Sequence, residues 1–451
     1  MRKNSHGQNN ASRTVCARSA AVNALMRFES RGSYSNIELD VFLKSADLSS
    51  EDKRLFTLIF YGVIENRIFL DHVISSMTDI KRLSPKILCV LRSAFYQLIF
   101  TDKIPPYAAV NEACGEARSD GRGAVSLVNA VLRNFLRTYP EHGKDALVRD
   151  MGINDRSVVY SCSKDVISVL DAGYGREKAD SVLKSFETKP GLSAVVNTSV
   201  ISARDFITGL SEKGIECFSP EGFDDLVYIP CGANPAELPG FEKGSCFIQD
   251  LSSHAAVRAL LPEEGDTLID VCACPGGKTF ASALMMNGRG RIISLDVHKN
   301  KLSLITGGCK RLGIDFAEVR RCDALSPLTE FFGTADKVIC DVPCSGLGVI
   351  AKKPEIRYKT KNDIASLPAL QREILEKSAA YLKTGGKLMY STCTLNPEEN
   401  DGVTNGFLAA HDDFVRVSGK ESGVTLFPDE AREKYGAPHD GFFYDILMKI
   451  K

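Results

Sequence analysis

Between residues 13 and 138, apolar positions recur at three- and four-residue intervals. Ala17, Ala21, Val22, Leu25 and Phe28 fall on one helical face. Ser49 or Ser50 is placed to cap a longer helix, with Glu51 and Asp52 in its first turn. Ser84 followed by Pro85 opens another, and the stretches beginning at Pro105 and Gly123 add two more. Five or more amphipathic helices with short connections predict an all-α bundle over residues 13–140. Residues 1–12 are polar and predict a disordered tail.

The pattern then changes. Residues 141–245 begin helical and switch near "GLSAVVNTSV" to alternating, β-branched stretches, which predicts a small α+β linker region. From Leu268 the order is strand, glycine-rich turn and helix, repeated to the end of the chain. Five apolar runs ("TLIDVCA", "GRIISLDVH", "FAEVRRCDA", "DKVICDVP", "GGKLMYSTC") alternate with helical segments. Residues 246–451 therefore predict an α/β domain with a Rossmann-like, doubly wound parallel sheet. Such sheets bind ligands beyond the carboxyl ends of their strands.

Composition narrows the classes. No run of about 18 uncharged apolar residues occurs, so no membrane span is expected. The polar start does not read as a secretory signal. The 14 cysteines are scattered, several within apolar runs (Cys246, Cys272, Cys340), which fits reduced thiols in a cytoplasmic protein. Their spacing does not suit a zinc site, and no metal is expected. The net charge is −1, but residues 1–140 carry 19 Lys+Arg and 13 Asp+Glu. A basic front on an acidic body suggests a local surface for a polyanion.

Polar residues concentrate where strands should end. "DVCACPGGKT" is not a P-loop, because Cys272 stands where that motif needs glycine. What remains is a strand, a tight Pro275-Gly276-Gly277 turn and a helix start, where glycine lets a ligand come close to the backbone. Asp296 ends the next strand, placed to accept both hydroxyls of a ribose. Asp323 ends the third, beside the expected place of an adenine, and Asp341 the fourth. Any one of these acids could simply cap a helix. Three in sheet order suit a nucleoside without pyrophosphate, and S-adenosylmethionine is the candidate.

Two strand ends carry cysteines, Cys344 in "CDVPCSGLG" and Cys393 in "YSTCTLNPEEN". A lone cysteine there usually packs. A pair beside a methyl donor fits one particular problem. Carbon 5 of a pyrimidine is a poor nucleophile until a thiolate adds to carbon 6, and the base must leave its stack to reach that thiolate. Asp341 could hold the amino or ring-nitrogen edge of the base. The attacking thiol should have a lowered pKa, near lysine or a helix N-terminus. The residues by themselves leave the order of the two thiols open.

"DVCACPGGKT", "DVPCSGLGVI", "YSTCTLNPEEN" and "HDGFFYDILMK" together resemble the RNA 5-methylcytidine methyltransferases of the NOL1/NOP2/Sun type. "RIFLDHVI" and "SLVNAVLRNFLR" resemble a NusB-like, RNA-binding helical domain. The resemblance implies S-adenosylmethionine as cofactor and cytidine carbon 5 of small-subunit (16S) ribosomal RNA, before full assembly, as target. It implies Cys393 as nucleophile and Cys344 as the thiol that assists product release. The cofactor loop maps onto Cys272, Ala273, Cys274, Pro275, Gly276, Gly277 and Lys278, and the strand-end acids onto Asp296, Asp323 and Asp341. "FIQDLSSH" matches the family's lead-in to the first strand. The family usually has alanine where Cys274 stands, and the Trp-free stretch "YSCSKDVISVLDAGYG" is a loose match.

After Cys344, Lys352, Lys353, Arg357, Lys359 and Lys361 form a basic run. Beside an active site this predicts a loop gripping RNA phosphates, chiefly through Lys352, Lys353, Arg357 and Lys359. Two alternatives use the same residues: identical chemistry on transfer RNA, and a noncatalytic RNA-binding or assembly protein. A DNA methyltransferase would leave the second cysteine motif unexplained.

Overall fold

Local sequence signals set the first helices. Ser49 caps the helix Ser50–Glu65 by accepting from the Asp52 amide, and Ser84 caps Pro85–Phe100 through the Ile87 amide. The long apolar run after Ser49 is two helices rather than one, broken at Asn66 before Arg67–Met77. The helix Arg122–Thr138 buries Val128, Val131, Leu132 and Phe135 along a single stripe. Phe135 meets Phe95 edge to face, ring centroids 4.9 Å apart. Burying one such side chain contributes about 1.5–3 kcal/mol.

The structure is a computed structural model that describes residues 16–31, 35–45, 48–141, 143–188 and 190–451. The tail expected over residues 1–12 lies outside them. The chain divides into two compact units. The first runs to Lys164 and takes in Lys353–Tyr358; the second comprises Asp165–Lys352 and Lys359–Lys451. The first unit extends beyond residue 140, where the helical bundle is expected to end, and the stretch expected to be a linker is shared between the two units.

The short segment Lys353–Tyr358 is built into the helical unit. Its Tyr358 hydroxyl donates to the Ile64 carbonyl and accepts from the Arg67 amide. The Arg67 guanidinium lies 3.9 Å from the Tyr358 ring centroid. Arg357 is 3% exposed, and its Nη1 donates to the Tyr160 carbonyl at 3.0 Å. Glu355 accepts from the Ser35 hydroxyl at 2.7 Å.

The second unit holds two sheets. The small one is antiparallel, in the order β2 (Leu226–Ile229), β1 (Leu192–Val196), β3 (Cys246–Ile248). The helix Ala203–Ser211 contributes Phe206 and Leu210 to its apolar core. The large sheet contains β4 (Thr267–Asp270), β5 (Arg291–Asp296), β6 (Ala317–Arg321), β7 (Ala335–Asp341), β8 (Leu382–Thr392), β9 (Phe414–Arg416), β10 (Val424–Leu426) and β11 (Phe442–Lys449). Its order is β10-β11-β8-β7-β4-β5-β6, with β9 also paired to β11. Strands β4 to β8 are parallel, as expected. The remaining three are antiparallel additions at one edge, which the sequence pattern had not separated from the rest.

Alternation along the central strands builds two apolar layers. Leu268, Ile339 and Met389 face the helices Leu251–Leu260 and Gly277–Met285, through Ala256, Val257, Leu260 and Ala281. Their neighbours Ile269, Val338 and Leu388 face the helices Leu367–Ala379 and Asp401–Ala410, through Ile374, Leu375, Val403 and Phe407. Strands buried on both faces read as nearly continuous apolar runs, and such a sheet carries its polar residues at the strand ends. Among the described residues no helix is long and apolar enough to cross a membrane.

Candidate active site

Strand β4 stops at Asp270 and is followed by the turn at Pro275-Gly276-Gly277, which carries a cis peptide between Cys274 and Pro275. Gly276 has φ +114°, and a Cβ there would collide with the Phe280 ring. The helix Gly277–Met285 starts at once, so its first amide groups face the carboxyl end of the sheet. Asp296, at the end of β5, accepts from the Cys274 amide at 3.1 Å and the His298 amide at 2.8 Å. Asp323 lies two residues beyond β6, exposed, and accepts from the Leu325 amide at 3.0 Å.

A cavity of about 240 Å³ opens at these strand ends. It is lined by Cys272, Ala273, Cys274, Pro275, Gly277, Lys278, Asp341 and Cys393, together with Gln249, Asp250, Asp270 and Asp440. Gly276, Asp296, Asp323 and Cys344 are not part of this lining. At its floor Lys278 donates to Asp341 Oδ2 at 2.7 Å, while Asp341 Oδ1 accepts from the Ser391 hydroxyl at 2.7 Å. Each carboxylate oxygen retains a lone pair for a ligand.

The two cysteines meet there. β7 and β8 are hydrogen-bonded neighbours, with Cys340 paired to Tyr390 and Asp341 to Ser391. Each strand therefore ends at the same level, and the sulfurs of Cys344 and Cys393 lie 3.3 Å apart. The Cys344 thiol is pushed well up, first by its hydrogen bond with Cys393, then by burial and the nearby Glu399 and Asp341 carboxylates. The lowered pKa expected of the attacking thiol is therefore not a property of Cys344, which keeps its proton.

The loop after Cys393 clamps both cysteine segments. Glu399 is fully buried; its Oε2 accepts from the Ser345 amide and from Gln371, each at 2.8 Å, and its Oε1 from Asn396 at 2.9 Å. Gln371 also donates to the Pro343 carbonyl at 3.0 Å. Thr394 and Ser345 share a hydroxyl contact at 2.7 Å, and the Gly348 amide donates to the Cys393 carbonyl at 3.0 Å. A buried carboxylate is tolerable when its lone pairs are filled in this way. Reading the sequence did not single out Glu399 or Gln371; the polar run "NPEEN" directly after Cys393 was the available signal for Glu399.

Asp250 and Asp440 were also missed. Asp250 caps the helix Leu251–Leu260 through the Ser252 amide and accepts from the Asp440 amide at 3.1 Å. Lys352 bridges their carboxylates, at 2.5 Å to Asp250 and 2.8 Å to Asp440. Burial works to raise the Asp250 carboxyl, but Lys352 and the Ser252 hydroxyl outweigh it and hold it low. Burial and the neighbouring Asp250 push Asp440 up to about 7. Gly348 makes this arrangement possible: its Cβ would sit 1.9 Å from the Gly441 carbonyl oxygen, so only two glycines allow the strands' lead-in loops to touch.

The basic run after Cys344 behaves differently from the phosphate grip expected of it. Arg357 is buried within the helical unit and bonded to Tyr160, and Lys352 is committed to two carboxylates. Neither offers its charge to a phosphate. Lys353 is exposed. Burial of Pro354 and Ile356 and the Tyr358 hydrogen bonds to Ile64 and Arg67 draw this segment inward, a long-range effect that a run of basic letters does not reveal.

Four acids line the cavity, Asp250, Asp270, Asp341 and Asp440, against two ammoniums, Lys278 on Asp341 and Lys352 on Asp250 and Asp440. That excess of negative charge suits a ligand carrying positive charge on a sulfonium and an ammonium. Burial raises the Asp270 carboxyl to about 7, against the pull of Thr279 and Lys278, with the nearby Asp341 and Asp296 carboxylates adding a smaller push. Its folded-state pKa lies above the unfolded one, so the stability it contributes is full in acid and is lost as pH rises through about 7. Asp270→Asn removes the titration. Its melting temperature relative to wild type should climb between about pH 4 and 7 and level off above; a scanning-calorimetry difference that stays flat throughout would contradict this.

Parallel sheet, glycine turn, strand-end acids and a cavity fitted to a cationic nucleoside define an S-adenosylmethionine-dependent methyltransferase. A family model described as 16S rRNA methyltransferase RsmB/F matches residues 257–448, and one for the NusB family matches residues 16–137. The chain is 33% identical over 402 residues to a probable ribosomal RNA small subunit methyltransferase B of Bacillus subtilis, covering 88% of this chain and 89% of that protein. It is 31% identical to the ribosomal RNA small subunit methyltransferase B of Klebsiella pneumoniae, covering 97% and 99%. Among solved structures, PH0851 superposes with a TM-score of 0.77 at 25% identity over 96% of this chain and 98% of that one. NSun6 from Pyrococcus horikoshii, solved with the S-adenosylmethionine analogue SFG, shares the fold at a TM-score of 0.57 and 23% identity, covering 64% and 98%. The chain belongs to the RsmB/F family of 16S rRNA methyltransferases, with an N-terminal domain of the NusB family.

Proposed function

We propose that this protein methylates carbon 5 of a cytidine in small-subunit ribosomal RNA through a covalent bond between Cys393 and the base. The observation that carries the reading is the pair of sulfurs 3.3 Å apart at the ends of adjacent strands, beside the Lys278–Asp341 pair. A methyltransferase acting on an amino group or a hydroxyl needs no such pair. The relatives' names supply the substrate: both curated relatives are named for the small ribosomal subunit.

The target base leaves its stack and enters the cavity, where Asp341 and Lys278 hold its edge. The Cys393 thiolate adds to carbon 6, forming the S–C6 bond and turning the ring into an enamine whose electron density lies on carbon 5. S-adenosylmethionine, held by the loop Cys272 to Lys278 and the acids Asp296 and Asp323, supplies the methyl group as an electrophile when bound. Solvent water takes the carbon 5 proton, the C5–H electron pair restores the C5=C6 bond, and the S–C6 pair leaves on the Cys393 sulfur. Cys344, which retains its proton at hydrogen-bond distance from the departing sulfur, assists that release. Of the basic residues after Cys344, Lys353, Lys359 and Lys361 keep the expected role of phosphate contacts.

Bisulfite sequencing of ribosomal and transfer RNA from cells with and without the gene tests the reading. One cytidine of small-subunit rRNA should lose its protection from deamination when the gene is absent. Loss confined to transfer RNA would keep the chemistry and replace the substrate; no change in either would reject both.

A further inference from the structure

A second cavity, about 450 Å³, lies in the same unit. It shares two lining residues with the catalytic cavity, Asp250 and Asp440, and Lys352, which ties them together, also lines it. The bridged carboxylates are thus a common wall. One side holds Cys393 and the cofactor loop; the other includes Pro190, Pro428 and Pro438 in its lining. No step of the reaction above uses this second space, which is of the size that encloses a small ligand (roughly 300–1,000 Å³).

Its charges indicate the occupant. Four acids line it as well: Asp250 and Asp440 share Lys352, Asp429 is paired with Lys178 at 2.9 Å, and Glu187 is exposed. Lys184 and Arg432 line it too, both exposed and neither with an ion-pair partner among the described residues. Two exposed cations and several apolar side chains (Phe186, Tyr228 and the prolines) in one lining suit a group that is anionic on one side and planar or apolar on the other. A nucleotide joined through its phosphodiester to the base in the next cavity has that form.

We propose that this second cavity is a nucleotide subsite that receives the single-stranded neighbour of the flipped cytidine, with the connecting phosphodiester on Lys184 and Arg432. The inference rests on the reading of the substrate as RNA and adds where the strand lies. It gives the Asp250–Lys352–Asp440 bridge a positioning role, as the partition that keeps two successive bases apart. Lys352 then serves RNA binding indirectly rather than by gripping phosphate.

The test uses the full-length protein, unmodified small-subunit rRNA transcribed in vitro, and S-adenosylmethionine. Filter binding over a salt series gives the RNA affinity, and calorimetry gives the cofactor affinity. Lys184→Gln and Arg432→Gln should each weaken RNA binding roughly three- to tenfold and flatten the slope of log K against log salt by about 0.7, the loss of one single-strand phosphate contact. Cofactor affinity should be unchanged. RNA affinity within about twofold of wild type, with the same salt slope, overturns the subsite. So does an equal loss of cofactor affinity, which would place the effect on the fold of the unit. Wild-type protein that neither binds nor methylates the rRNA overturns the underlying reading, and the subsite falls with it.

Discussion

Cys393→Ala loses methyl transfer to below detection, a fall of about four or more orders of magnitude, the scale on which removal of a covalent nucleophile acts. The reason is chemical rather than structural. Without a sulfur to add at carbon 6, carbon 5 never becomes nucleophilic, and no neighbouring group supplies the same bond. Alanine is smaller and apolar, and Cys393 stands half-buried at the rim of the cavity, so the clamp around Glu399 survives the change. Cofactor binding measured by calorimetry should therefore match the wild type while transfer of labelled methyl to rRNA disappears. Appreciable turnover in this variant would remove Cys393 from the nucleophile's role.

Cys344→Ala has a different expected result. Bond formation at Cys393 proceeds, methyl transfer proceeds, and release stalls, because the thiol that sits 3.3 Å from the departing sulfur is gone. Protein and rRNA should accumulate as a covalent adduct, seen on a denaturing gel as a slow band that ribonuclease collapses. Loss of methylation without that band would give Cys344 another task. The contrast between the two variants is informative because they remove the same atom type from adjacent strand ends. A merely structural effect of losing a thiol would make them alike.

The cofactor loop and both cysteine motifs were legible in the sequence because each is local. A strand, a tight turn and a helix follow one another within about a dozen residues, and a buried parallel strand announces its end by the first polar letter. Asp296, Asp341, Cys344 and Cys393 could be placed for that reason, and neighbouring β7 and β8 bring the last three together. Other features depend on contacts between distant residues. Asp250 and Asp440 meet across 190 positions of sequence, through Lys352 and a glycine pair. Arg357 reads as a surface cation in the sequence, yet Tyr358 and Pro354 carry it into the helical unit. Glu399 lies in a polar run that the sequence does not single out, and three donors converge on its buried carboxylate. The antiparallel edge strands were invisible for a related reason: strand direction depends on the connection, not on the strand's own residues.

The central claim concerns one bond, and one measurement addresses it. Wild-type protein is incubated with S-adenosylmethionine and small-subunit rRNA containing 5-fluorocytidine, whose carbon 5 carries no removable proton once methylated, so the covalent intermediate cannot resolve. After digestion with nuclease and trypsin, mass spectrometry locates the attached nucleotide. The account predicts it on Cys393, in the peptide that trypsin releases between Lys387 and Arg416. A nucleotide attached to Cys344, or no attached nucleotide at all from RNA that the enzyme methylates in its unfluorinated form, would contradict it.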